Sequence, residues 1–160
     1  MAIRMIRTGT DPVLRKVAKP VPAITPVIMK LMDDMAQTMY DANGVGLAAV
    51  QVGILKRVIV MDVGEGLIEL VNPEIVETSG SQTDSEGCLS LPGIRGEVER
   101  AMNATVKGLN RDGEEVVIHA SGLLARCALH EVDHLNGILF TDYLSPDQIV
   151  YVSEKESVGE

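Results

Sequence analysis

The residues best equipped for chemistry in this sequence form one short run, His130-Glu131-Val132-Asp133-His134. Residues four apart on a helix lie one above the other on a single face. Two imidazoles at that spacing can bind one ion, and the glutamate between them can reach a water beside it. The surrounding stretch carries Leu123, Leu124, Cys127, Ala128, Leu129 and Leu135, so it is apolar on almost every side. Such a helix belongs in the interior. Burying two imidazoles and a carboxylate there is costly unless something compensates them, and a metal ion is the expected compensation.

Two histidines leave at least one protein ligand to find. Cys127 is on roughly the same helix face, but seven residues from His134 amount to ~10.5 Å of rise, so packing is its expected role. His119 falls in a predicted strand, either as an exposed or internally satisfied residue or as a ligand. Cys88 sits in Glu86-Gly87-Cys88-Leu89-Ser90, where no regular helix is expected. A thiolate there would complete a tetrahedral site with water as fourth ligand; as a small buried hydrophobe it would fit equally well. Asp133 is expected to orient a neighbour or face a positive side chain. The segment Gly44-Val45-Gly46-Leu47-Ala48-Ala49 has the outline of a dinucleotide fingerprint. That fingerprint needs a strand before it, and here a helix precedes it, so nucleotide binding is rejected. The glycines either make a turn into an apolar strand or bring main chain close to a ligand, with Gln51 adding a side-chain donor.

The elements that must position these residues can be outlined. Residues 8–26 are rich in turn-formers and proline and read as an extended arm. A helix follows, capped by Thr25 with Pro26 in its first turn. Ile28, Leu31, Met32, Met35 and Met39 recur at helical spacing, and Gly44 offers a stop after Asn43. Strands are predicted over 57–62, 67–71, 74–78, 98–109 and 115–119, with Gly64-Glu65-Gly66 as a turn and Asn72-Pro73 as a separator. Asn110-Arg111-Asp112-Gly113 is a hairpin signal. The second helix should start near Ser121 and end before Gly137. Pro146 opens a short last helix, and the acidic tail, 154–160, is expected to fray. Strands grouped beside two helices, without βαβ alternation, predict an α+β fold of mainly antiparallel sheet around the buried helix.

Composition narrows the possibilities further. The 160 residues suit one domain, and 46% hydrophobic with 23% charged residues is ordinary for a globular chain. With one Phe, three Tyr and no Trp, aliphatic side chains and eight Met must fill the core. A net charge of −9 with no basic cluster argues against nucleic acid as the main ligand. No apolar run approaches the ~20 residues that span a bilayer, and Met1 to Thr10 lacks the apolar core of a secretion signal. Two cysteines are too few for a disulfide framework and suit a reducing compartment. The cytoplasm is the expected location.

Taken together, GVGLAAVQ (44–51), EGCLS (86–90) and HEVDH (130–134) resemble the three motifs of the peptide deformylases, in order and in approximate separation. The likeness extends to Arg7 through Val21, to Leu91-Pro92-Gly93-Ile94-Arg95 and to Leu139 through Ser145, covering roughly residues 3 to 146. It implies a single catalytic domain over 1–160 with an α+β fold. It assigns Cys88, His130 and His134 to one divalent ion, Fe²⁺ in the cell with Zn²⁺, Ni²⁺ or Co²⁺ as alternatives. Glu131 becomes the acid/base, and the Gln51 side chain and Leu89 N–H become donors to an oxyanion. Val45, Gly46, Arg95, Leu123 and Cys127 become substrate contacts, although Leu123 and Cys127 read equally well as core and Arg95 as a surface ion pair. The implied activity is removal of the formyl group from N-terminal formyl-methionine of nascent polypeptides, releasing formate. Formyl-methionyl peptides are the implied partners, with transient contact to the ribosome. Two departures stand out: Leu129 occupies a position that is often Gln in the family, and the tail is short and acidic where some members carry a long basic helix. Two other readings use the same helix. A zinc peptidase would take a third ligand other than Cys88, and a metal-stabilised binding module would not need Glu131.

Overall fold

The computed structural model describes residues 2–152; the tail expected to fray, 154–160, lies outside them. Helix α1 (Pro26–Asp41) begins as its sequence requires, with the Thr25 hydroxyl accepting the Ile28 N–H at 3.4 Å and Pro26 in its first turn. Ile28, Leu31, Met32, Met35 and Met39 form its buried stripe. The helix stops on a left-handed residue, and that residue is Asn43 (φ 57°) rather than the glycine after it. Gly44 N–H bonds back to Met39 C=O and Asn43 N–H to Tyr40 C=O, which satisfies two of the last carbonyls.

Five antiparallel strands make the larger sheet, in the order β1 (Gly46–Ala48), β2 (Val58–Met61), β3 (Ile68–Ser79), β6 (Asn103–Leu109) and β7 (Glu115–Ser121). β4 (Gln82–Cys88), β5 (Leu91–Arg100) and the short β8 (Val150–Tyr151) make a second antiparallel sheet. Helix α2 (Gly122–Leu135) packs on one face of the larger sheet and α1 on the other. β2 shows why its sequence is an unbroken apolar run. Ile59 and Met61 enter the core beneath α2, and Val58 and Val60 enter the methionine-rich core beneath α1.

Four features differ from expectation. The strands predicted on either side of Asn72-Pro73 are one continuous β3. Asn72 adopts φ 53°, and the register shifts between Val71 and Glu74, so the proline sits in a bulge and owes no ladder bond. The single strand predicted over 98–109 is two, because the chain leaves one sheet at Arg100 and joins the other at Asn103. The hairpin of β4 and β5 was not anticipated as strands; Gln82–Cys88 reads QTDSEGC, with little β-propensity, and forms because both faces of its end are covered. The last predicted helix is a single 3₁₀ turn, Pro146–Gln148.

The N-terminal arm is fastened to the end of α2. Ala18 N–H donates to Leu135 C=O at 2.8 Å, and Arg57 donates to Leu135 C=O, Ala18 C=O and the Asn136 side chain at 3.1, 3.3 and 3.0 Å. Arg15 grips Asp142 with both guanidinium nitrogens. Among the described residues, no helix is long and apolar enough to cross a membrane.

Candidate metal centre

Helix α2 stacks His130 directly under His134, and their Nε2 atoms lie 3.2 Å apart. The β4 end brings the Cys88 sulfur to 3.2 Å from His134 Nε2. One ligand atom from each of the three residues lies within 4.8 Å of the others, and all three side chains are buried. Bonds of ~2.0–2.3 Å at tetrahedral angles place ligand atoms about 3.3–3.8 Å apart, so the donor set fits one ion. Two imidazoles and a thiol are also the ligand types that zinc and other divalent transition metals accept. His119 is elsewhere, on the exposed side of β7, with Nδ1 3.4 Å from the Thr105 hydroxyl.

Around these three, the chain supplies groups of two kinds. Glu131 is fully buried on α2 next to His130, beneath the β1 main chain. A Cβ on Gly46 would come within 2.5 Å of Glu131 Oε2 and 2.6 Å of Cys127 Sγ, so glycine is what allows β1 to lie this close. Gln51 projects from the 3₁₀ turn Ala49–Val52 after β1. Its Oε1 accepts the Ala48 N–H at 2.9 Å, and its Nε2 donates to Ser90 Oγ at 3.0 Å, with Cys88 Sγ 3.7 Å away. The amide is therefore held beside the Cys88 sulfur.

The remaining candidates scatter more widely. Leu89, half-buried, follows Cys88 directly. Val45 is half-buried, and its carbonyl accepts from the Cys127 thiol at 3.4 Å. Cys127 is itself fully buried, whereas Leu123 is 49% exposed at the start of α2. Arg95 donates to the Ser85 hydroxyl at 3.0 Å and to its carbonyl at 3.3 Å.

Sequence reasoning missed a buried ionic network behind His130. Glu86 takes the His130 Nδ1–H at 2.8 Å on Oε1, and Arg100 grips both its oxygens at 2.8 and 2.9 Å. Arg126, buried on α2, also donates to it. Burial alone would raise the Glu86 pKa, but the bonds from Arg100 and His130 hold it at about 2. With a carboxylate accepting at Nδ1, His130 keeps its proton there and turns Nε2 toward His134. Burial, the largest cause, pushes the His134 pKa well below its usual value, which favours the neutral form a ligand needs. Arg100 also reaches Asp133 at 2.7 Å, and Asp133 accepts from Tyr143 at 2.7 Å. The expectation that Asp133 faces a positive side chain therefore holds. The one available signal was Arg126 itself, the single Lys or Arg in a largely apolar helix.

A buried helix presenting two imidazoles and a carboxylate, with a thiol from a facing hairpin, defines the chain as a metallohydrolase in class. Comparison with known proteins gives the family. The polypeptide deformylase family model matches residues 3–149. The peptide deformylase of Carboxydothermus hydrogenoformans is 63% identical over 142 residues, covering 89% of this chain and 93% of that one. That of Alkaliphilus metalliredigens is 65% identical, covering 89% and 97%. The crystal structure of a peptide deformylase from Legionella pneumophila superposes with a TM-score of 0.89 at 49% identity, covering 92% of this chain and 89% of that one. An actinonin-bound class I type b peptide deformylase from Acinetobacter baumannii superposes at 0.86 with 42% identity, covering 91% and 100%. The chain belongs to the polypeptide deformylase family, whose members are metal-dependent enzymes.

Proposed function

We propose that this chain, as a single catalytic domain over 1–160, hydrolyses the formyl group from N-terminal formyl-methionine of nascent polypeptides and releases formate. The observation that carries the reading is the convergence of Cys88, His130 and His134 within 4.8 Å of one another, beside a buried Glu131. Bound by those three side chains, a divalent ion supplies Lewis-acid activation of water and of a carbonyl. Fe²⁺ is the ion proposed for the cell, with Zn²⁺, Ni²⁺ and Co²⁺ as substitutes.

Glu131 accepts the proton of the attacking water and returns it to the departing amine, a role worth ~10²–10⁴ in rate. Gln51 stabilises the negative charge that grows on the formyl oxygen. Its amide carries two N–H bonds; Ser90 takes one at 3.0 Å, and the Ala48 N–H fixes the far end at 2.9 Å. That leaves the second N–H turned toward the Cys88 side of the site. The Leu89 N–H is the second donor of the same oxyanion site. The formyl group is small, so selectivity resides in the peptide. Main chain at Val45 and Gly46, on the free edge of β1, pairs with an extended substrate. Val45, Leu123 and Cys127 flank the methionine side chain, and Arg95 contacts substrate beyond it. The place of action is the cytoplasm, and contact with the ribosome is transient.

The test is formate release from formyl-Met-Ala under anaerobic, Fe²⁺-replete conditions, run beside an unformylated peptide. Formate from the first and an intact second peptide are expected. Cleavage of the unformylated peptide would point to a zinc peptidase, and inertness toward both to a binding module.

A further inference from the structure

The structure assigns to Arg126 a positioning role that links the two halves of the metal centre, an inference that rests on Cys88, His130 and His134 being the ligands. Arg126 is 2% exposed although it carries a full charge, and it lies on α2 one turn before His130. Residues 126, 130 and 134 therefore share one helix face. That face meets the β4–β5 hairpin, the element that carries Cys88.

Among the described residues, the side-chain hydrogen bonds of Arg126 cross this junction. Nη1 donates to Glu86 Oε2 and to the Val98 carbonyl at 2.8 Å, and Nη2 reaches the Gln82 carbonyl at 3.3 Å. Gln82 and Glu86 are on β4, and Val98 is on β5. One planar, rigid group thus fixes both strands of the hairpin against the helix, which a flexible point charge would not do. Glu86 is two residues before Cys88 and is also the acceptor for His130 Nδ1. Arg126 consequently acts on the ligands from both sides: through Glu86 it orients the His130 ring, and through the strands it sets where the Cys88 sulfur stands relative to the imidazoles. Arg100 grips the same carboxylate from β5, but it bonds no strand carbonyl among its described contacts. The register between helix and hairpin falls to Arg126.

The experiment uses full-length protein, stripped of metal and titrated with Co²⁺ under anaerobic, reducing conditions. Affinity and the cobalt absorption spectrum, including the thiolate-to-cobalt band, are compared in the parent, Arg126→Leu, Arg126→Lys and Met32→Ala. Met32 is fully buried in the core beneath α1, so its truncation reports what general destabilisation alone does. Arg126→Leu is expected to weaken Co²⁺ binding 10–100-fold and to alter the spectrum. Arg126→Lys, which keeps the charge but cannot span the three acceptors, should fall between it and the parent. Met32→Ala should keep the parental spectrum and affinity. The role is overturned if Arg126→Leu binds Co²⁺ like the parent or loses no more than Met32→Ala. Should Arg126→Leu fail to fold, parental affinity and spectrum in Arg126→Lys overturn it instead. A parent that shows no thiolate-to-cobalt band would overturn the ligand assignment beneath it. Because no arm reads formate, a failed deformylase assay remains a separate result.

Discussion

At the scale of single residues, the site separates holding an ion from using it. Glu131→Ala removes the proposed acid/base and leaves Cys88, His130 and His134 in place, so metal content should stay near one ion per chain while turnover falls at least 10²-fold. A rate within tenfold of the parent would remove Glu131 from the chemistry. Gln51→Leu takes away an oxyanion donor and should lower kcat by ~10²–10³ with a smaller effect on KM. Equal rates in variant and parent would exclude that role. Gly46→Ala tests the contact between β1 and α2 more finely. The added methyl meets Glu131 Oε2 at 2.5 Å and Cys127 Sγ at 2.6 Å, both at side-chain ends, so the Glu131 carboxylate has to move together with the Cys127 thiol. Turnover should drop at least tenfold with metal retained; unchanged kinetics would mean that Glu131 tolerates displacement. The two imidazoles of the candidate site were legible in the sequence because their spacing on a helix is periodic, whereas Cys88 was singled out only by the family resemblance. Glu86, Arg100 and Arg126 were not, since their meeting depends on strand pairing that no local pattern announces.

At the scale of elements, α2 is the component whose placement matters most, and its C-terminal end is held by side chains from far away. Arg57, at the start of β2, donates to Leu135 C=O at 3.1 Å, where the helix leaves its last carbonyls unsatisfied. Arg57→Ala should therefore lower Tm by about 3–10 °C, the equivalent of one bond to a charged group in a chain of this size. A Tm within a degree of the parent would show that the N-terminal arm secures the helix without it. Both helices were readable, with Thr25 and Pro26 marking one start and apolar periodicity defining both. The strands were read less well. Pro73 looked like a terminator, but a bulge at Asn72 absorbs it, and the Asn72 side chain secures the bulge by bonding Val21 N–H and C=O at 2.8 and 2.9 Å. The β4–β5 hairpin is polar on its exposed side and glycine-containing where it meets the helix, so neither propensity nor alternation disclosed it.

At the scale of the whole molecule, the chain's first residues are tied to α1 through Asp34. Its carboxylate accepts from Ala2 N–H at 2.8 Å, Arg4 Nε at 3.0 Å and Lys30 Nζ at 3.3 Å. Burial alone would raise its pKa, yet these partners together hold it below the ordinary 3.8. A depressed carboxylate stabilises the fold in full above its ordinary pKa, and that contribution is lost as pH falls through the lowered folded value. The Tm difference between the parent and Asp34→Asn should thus be constant from neutrality to about pH 5 and shrink below about pH 4. A difference that persists undiminished at pH 2 would trace to packing. The fold class followed from the grouping of strands and helices, whereas the division into two sheets did not, because it depends on the chain crossing over between Arg100 and Asn103. The sulfur and the second imidazole lie 46 residues apart, with Cys88 made first. At ~5–20 residues per second of synthesis, that thiol emerges roughly 2–9 s ahead of its histidine partners. An ion that needs all three side chains can therefore bind only after His134 has been made.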